Sequence, residues 1–170
     1  MTTTATHTEM VLRPPTIADG AAIHALIKAC PPLDLNSAYA YLLLCHHFAD
    51  TCVVAERSGT IVGYVSGYVP PAQPDVFFIW QVAVHERGRG LGLGQGMLRH
   101  LLERPAASRS RYVETTVSPS NGPSRAMFQR LAASLGTALQ ETALFTTDMF
   151  GPGAAHEDET LLRIGPFSLD

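Results

Sequence analysis

Apolar positions along the chain change their spacing several times, and each change marks an element. Behind Thr16 and Asp19, either able to cap a helix start, Ile23, Leu26 and Ile27 recur at helical spacing and predict a helix over residues 18–29. Cys30-Pro31-Pro32 ends it, because proline has no N–H to continue the ladder. A second helix is expected from Asn36 or Ser37 to about Phe48. Residues 51–57 and 61–69 are apolar and β-branched, and Ser58-Gly59 between them predicts a hairpin. After a proline-rich loop, residues 77–84 form the most apolar strand and run straight into Arg87-Gly88-Arg89-Gly90-Leu91-Gly92. Met97, Leu98, Leu101 and Leu102 then predict a helix over 95–103, stopped by Pro105. A strand over 111–117, a helix over 124–133 and two strands at 143–149 and 160–164, flanking a polar loop at 151–159, complete the chain. The reading is one mixed α/β domain over residues 11–167, preceded by a flexible arm at 1–10.

Composition adjusts this picture in few places. With 46% hydrophobic and 16% charged residues among 170, the chain can bury a core. A net charge of −3 gives no reason to expect nucleic acid as a partner. Cys30, Cys45 and Cys52 lack C-x-x-C spacing, and His46-His47 belongs to no H-E-x-x-H arrangement, so free thiols and no metal are expected. The polar start carries no apolar signal core, and no apolar run approaches the ~20 residues that span a bilayer. A cytoplasmic protein without membrane contact is the expectation.

The glycine segment carries the chemistry. It follows a buried strand and opens a helix, where unpaired N–H groups and the positive end of the helix dipole meet. Glycine also lets the backbone turn with positive φ and approach a ligand closely. Together these make an anion site of the kind that grips a pyrophosphate. No Gly-Lys-Ser or Gly-Lys-Thr follows, so it is not a P-loop; glycines alternating at 88, 90, 92, 94 and 96 do not match G-x-G-x-x-G. Trp80-Gln81-Val82-Ala83-Val84 followed by Arg87-x-x-Gly90-x-Gly92 resembles the acetyl-CoA motif of the GCN5-related N-acetyltransferases. The resemblance implies a mostly antiparallel, splayed sheet flanked by helices. It also implies main-chain contacts from Val82 and Val84 to the pantetheine arm of acetyl-CoA. Arg87, Gly88, Gly90, Leu91, Gly92 and Leu93 would surround the pyrophosphate, with Asn121 and Ser124 as a second contact. Where that superfamily often has a tyrosine to protonate the departing thiolate, this chain has Phe128.

A narrower likeness spans most of the chain. Pro32-Leu33-Asp34-Leu35-Asn36-Ser37, Phe78-Ile79-Trp80-Gln81, Glu114-Thr115-Thr116-Val117 and His156-Glu157-Asp158-Glu159 are similar to the L-2,4-diaminobutyrate acetyltransferase family of ectoine biosynthesis. That implies a homodimer acetylating the γ-amine by direct attack. Asp34, Asn36, Tyr39, Trp80, Gln81, Glu114, His156, Asp158 and Glu159 are the candidate substrate contacts. An alkyl ammonium must lose its proton before attack, so a base is required. Glu114, on the strand expected beside the cofactor strand, is the first candidate and His156 the second. Another small amine or a protein N-terminus as acceptor, and a non-catalytic acetyl-CoA-binding module, stand as alternatives.

Overall fold

The computed structural model describes residues 9–169; the arm expected at 1–10 falls, apart from its last two positions, outside the described residues. Seven strands are present: β1 (Met10–Arg13), β2 (Val53–Arg57), β3 (Thr60–Tyr68), β4 (Val76–Val84), β5 (Tyr112–Val117), β6 (Leu139–Phe145) and β7 (Glu159–Ile164). They form one sheet in the order β1-β2-β3-β4-β5-β7-β6. Every neighbouring pair is antiparallel except β4 with β5. The helices are α1 (Gly20–Lys28), α2 (Ala38–His47), α3 (Leu93–Leu102) and α4 (Gly122–Ser134).

Strands β2 to β4 are covered on both faces, which is why they read as unbroken apolar runs. Val53, Ala55 and Phe77 face one core with Met97, Leu101 and Leu131 of α3 and α4. Cys52, Val54, Tyr64 and Ala83 face a second core with Ile23, Ile27, Tyr41 and Leu44 of α1 and α2. No helix is long and apolar enough to cross a membrane among the described residues.

Two strand boundaries differ from the sequence reading. Met10 opens β1, so the last position of the expected arm is paired, with Arg57. The strand expected at 143–149 lies at 139–145 instead, in register with β7 from Leu139↔Ile164 to Phe145↔Glu159. As the outermost strand it is exposed along nearly all of its length, so it has no buried face whose alternation a sequence can display.

The parallel pair is short. Val76 to Ile79 lie opposite Tyr112 to Thr115, and beyond that point the strands diverge. At the same place β4 carries a bulge: Ser66 pairs with Gln81 and Gly67 with Ile79, leaving Trp80 as the extra residue. The bulge changes the parity of the strand. Phe77 and Ile79 face the α3–α4 core, whereas Ala83 faces the α1–α2 core, which two-residue alternation alone would forbid. Opposite it, a Cβ on Gly67 would stand 2.7 Å from both the Phe78 carbonyl oxygen and Phe77 Cε1. Gly67→Ala is therefore expected to destabilise the protein by about 1–3 kcal/mol, measured as a lower midpoint in urea unfolding.

Candidate active site

Divergence of β4 from β5 leaves main-chain groups without strand partners. His85 N–H donates to Val62 O (2.9 Å), so His85 and Val62 are a hydrogen-bonded antiparallel pair. Alternation then turns the N–H and C=O of Val84 and Val82 away from β3; the Val84 carbonyl accepts from Arg89 Nε–H (3.4 Å) and Cys30 Sγ–H (3.6 Å). Val82 lines the gap toward β5.

Beyond β4 the chain makes the glycine turn. Gly90 and Gly92 have φ of 76° and 68°, a region in which side chains are strained, and Gly92 caps α3. The first bond of the helix runs from Gly96 N–H to Gly92 O (2.9 Å). This leaves the N–H groups of Gly92, Leu93, Gly94 and Gln95 free of the helix ladder and pointing off its start. Arg87 and Leu91 are exposed beside them, and the Leu93 side chain is buried under the turn. Gly88 differs from the expectation: its N–H is bonded to His85 O (2.8 Å), and a Cβ there would press within 3.0 Å of Leu93. It shapes the turn from inside and does not face a ligand. Across the gap, Asn121 caps α4, its Oδ1 accepting from Ser124 N–H (3.2 Å). Asn121 and Ser124 line the cleft that the splay opens. These features fit a diphosphate and an extended pantetheine arm.

The cleft has a volume of about 470 Å³. Trp80, Gln81 and Val82 form one wall, and Thr116, Val117 and Ser118 the other. Phe128, whose ring carries no hydroxyl, stands on the α4 side with Met127 and Ser124. At the far end Asp34 comes from the loop before α2, and His156, Glu157 and Glu159 come from the segment leading into β7. Among the described residues, no lysine or arginine lines it. His156 Nδ1–H donates to Glu157 O (2.7 Å), which aims Nε2 at Asp34 Oδ2 (3.3 Å) and Glu159 Oε1 (4.0 Å). Its ring stacks on Phe150, centroids 3.9 Å apart. The bond to Glu157 O, reinforced by Asp34 and Glu159, raises the His156 pKa above the ordinary imidazole value. Ser118 Oγ–H donates to Glu159 Oε1 (3.2 Å) and holds that carboxylate in the wall.

Four expected substrate contacts stand elsewhere. Glu114 does not line the cleft. It is paired across to Arg163 on β7, whose guanidinium bonds its carboxylate and sits 3.8 Å over the Tyr112 ring. Glu114 shares a face of β5 with Thr116 and stands directly before Thr115, where the lining of the cleft begins. Asp158 accepts from Thr147 N–H (2.7 Å) and Oγ1–H (2.9 Å), securing the turn after β6. Tyr39 is 68% exposed on the outer side of α2. Asn36 does not line the cleft either; its main-chain N–H donates to Tyr41 Oη (3.3 Å). Conversely, Glu157 and Tyr41 were missed. Alternation in an extended segment puts Glu157 with Glu159 and against Asp158, and the spacing Tyr41, Leu44, Cys45 marks the buried stripe of α2.

Among the described residues no group of three or more His, Cys, Asp or Glu is arranged to hold a metal ion. The acetyltransferase (GNAT) family model matches residues 21–133. An L-2,4-diaminobutyric acid acetyltransferase of Bordetella parapertussis is 58% identical, over 92% of this chain and 84% of its own length. One from Chromohalobacter salexigens is 48% identical, over 93% and 82%. The diaminobutyrate acetyltransferase EctA of Paenibacillus lautus, solved in complex with its substrate L-2,4-diaminobutyric acid and coenzyme A, matches with a TM-score of 0.92. It is 43% identical, over 96% of this chain and 98% of its own. The splayed strand, the glycine turn and these likenesses agree: the chain belongs to the acetyltransferase (GNAT) family, within which it groups with the L-2,4-diaminobutyric acid acetyltransferases.

Proposed function

We propose that this enzyme transfers acetyl from acetyl-CoA to the γ-amino group of L-2,4-diaminobutyrate, giving Nγ-acetyl-diaminobutyrate, a step of ectoine biosynthesis. The observation that carries this reading is a cleft lined by Asp34, Glu157 and Glu159 without an opposing cation, opening where β4 leaves β5. Such a lining suits a substrate that brings two ammonium groups, and relatives sharing about half of the residues are named for that substrate. Acetyl-CoA supplies the thioester carbonyl. Main-chain groups of Val82 and Val84 hold the pantetheine arm, and one of their N–H groups polarises that carbonyl. Free N–H groups of Gly92 to Gln95 take the pyrophosphate, with Arg87, Gly90 and Leu91 around it and Asn121 and Ser124 opposite. Trp80 forms the side wall for the amine.

His156 is the base. Its Nδ1–H is committed to Glu157 O, so the neutral ring presents Nε2 to the cleft. Asp34 and Glu159 hold the γ-ammonium beside Nε2 and stabilise the imidazolium formed when the proton crosses. The neutral nitrogen then forms its bond to the acetyl carbon, giving a tetrahedral intermediate that collapses as the carbon–sulfur bond breaks. CoA leaves as its thiolate, and the surplus proton on the nitrogen passes through water to it, since Phe128 has none to give. Free thiols at Cys30, Cys45 and Cys52, all buried, support a reducing compartment, and the cytoplasm is the proposed location.

NMR of the product is the direct test, and acetyl on the α-nitrogen or no turnover with this diamine would reject the reading. Turnover of peptides or other amines instead would move the acceptor. Because the base must be neutral and its pKa is raised, kcat/KM for the diamine is expected to climb with pH through a value above about 6.5. Asp34→Asn should move that limb toward lower pH, and His156→Asn should reduce kcat by about 10²–10⁴-fold; an unmoved limb would exclude His156. Glu114→Gln removes the partner of Arg163 at a site 8% exposed. The variant should lose about 1–3 kcal/mol of stability while keeping kcat within a few-fold, and a large kcat loss would restore Glu114 as base.

We also propose a homodimer. Strand β6 is paired on one side alone and exposes Leu144 and Phe145, with Met149 and Phe150 just beyond it. A second copy related by a twofold axis would cover this apolar edge. Light scattering should give twice the chain mass, and Leu144→Lys should give monomer; a monomeric parent enzyme would refute this.

A further inference from the structure

Polar groups buried under α2 have no part in the chemistry above, yet they join its two halves. Tyr41 is 0% exposed and Gln81 5% exposed. The Tyr41 hydroxyl accepts Asn36 N–H (3.3 Å) and donates to Gln81 Oε1 (3.2 Å). Gln81 Nε2–H donates to the main-chain oxygen of Asp34 (2.7 Å), and Gln81 N–H donates to Ser66 Oγ (3.2 Å). One amide side chain thus links strand β4 to the residue whose carboxylate reaches His156. Two apolar side chains would fill the same space without the desolvation of a hydroxyl and an amide side chain, so the cluster's distinctive contribution is geometry.

The bulge explains why Gln81 reaches this cluster. With regular alternation it would share the face of Phe77 and Ile79, in the α3–α4 core. Trp80 as an extra residue turns Gln81 to the face of α2, between a residue that walls the cleft and one whose backbone looks into the splay. Resting on the acetyl-transfer reading, we infer that Tyr41 and Gln81 are positioning residues: they set Asp34, and through it the bound ammonium and His156, at a fixed place relative to the thioester held on β4. The ring of Tyr41 is kept in place independently by edge contacts with His24 and Tyr64, at 5.9 and 6.4 Å. Removing its hydroxyl therefore loosens the Asp34 loop without emptying the core.

Tyr41→Phe should raise KM for diaminobutyrate by about tenfold or more and leave KM for acetyl-CoA within about twofold. The pH limb assigned to His156 should shift downward in this variant, as in Asp34→Asn. Gln81→Glu keeps an acceptor for the tyrosine but loses the donor to Asp34 O, and should show the same split; it carries the test if Tyr41→Phe does not fold. Added to Asp34→Asn, Tyr41→Phe should cause little further loss, because its effect passes through Asp34. Equal rises in both KM values, or fully additive losses, would show a merely structural role. A parent enzyme that does not acetylate the diamine would overturn the functional reading itself. A parent enzyme that does, with both variants kinetically unchanged, would overturn the positioning role alone.

Discussion

Pairing between β4 and β5 stops after Ile79 and Thr115, and the rest of the site depends on that interruption. Strand main chain ordinarily satisfies its N–H and C=O groups across the ladder, and leaving them unpaired in a folded interior is unfavourable. Here the main chain of Val82 faces a gap whose other wall is Thr116 and Val117, while the Val84 carbonyl is taken by Arg89 Nε–H and Cys30 Sγ–H. A ligand able to act as a strand, with amide groups of its own, completes the ladder in place of β5. The same divergence creates the depth of the cleft, because two strands in register would have closed it. The α3 start lies at the end of β4, so one interruption supplies both the slot for an extended arm and the N–H cluster for its phosphates.

Charge organises the other end. Asp34, Glu157 and Glu159 line this end with His156 and with no lysine or arginine; Ser120 holds the Glu157 carboxylate. The Glu157 carbonyl oxygen, with Asp34 and Glu159, favours the protonated ring of His156 and raises its pKa. An arriving ammonium brings its own positive charge and weakens the hold on that proton. Under the proposed mechanism, substrate binding would thus favour the neutral ring when a base is required, and the acidic cluster would couple binding to the protonation state of His156.

Some of this was legible in the residues and some was not, for identifiable reasons. The glycine turn could be read because positive φ and a helix start impose residue types directly, as at Gly90 and Gly92. The buried strands and all four helices fell close to their expected limits, since apolar runs and caps such as Ser37 are local signals. Glu114 stands on the strand beside β4 as expected, but a strand's alternation shows that a residue has a face and not what lies across it; Arg163, 49 residues away, takes the carboxylate. Tyr39 and Tyr41 sit on one helix two positions apart, and only the stripe through Leu44 and Cys45 tells which points inward. The bulge at Trp80 was invisible, because it is defined by β3 and by the crowding around Gly67 and not by any residue type in β4.

That bulge also divides the molecule by task. The glycine turn and the Asn121 cap open α3 and α4, which pack on one core; in the proposed function they take the phosphate groups. The loop with Asp34 joins α1 to α2, which pack on the other core; in the proposed function it takes the acceptor. Side chains on β4 serve the first core up to Ile79, and at Gln81 the strand presents a side chain to the second. Changes packed within α1 and α2 can therefore reshape the acceptor pocket while β4 keeps its ladder to β3. The limit on such change is Gln81 itself: any new loop before α2 must still satisfy a buried amide that offers one donor and one acceptor. Acceptor choice in this fold is thus constrained less by the exposed carboxylates, which water can solvate when they move, than by the buried pair beneath them, which it cannot.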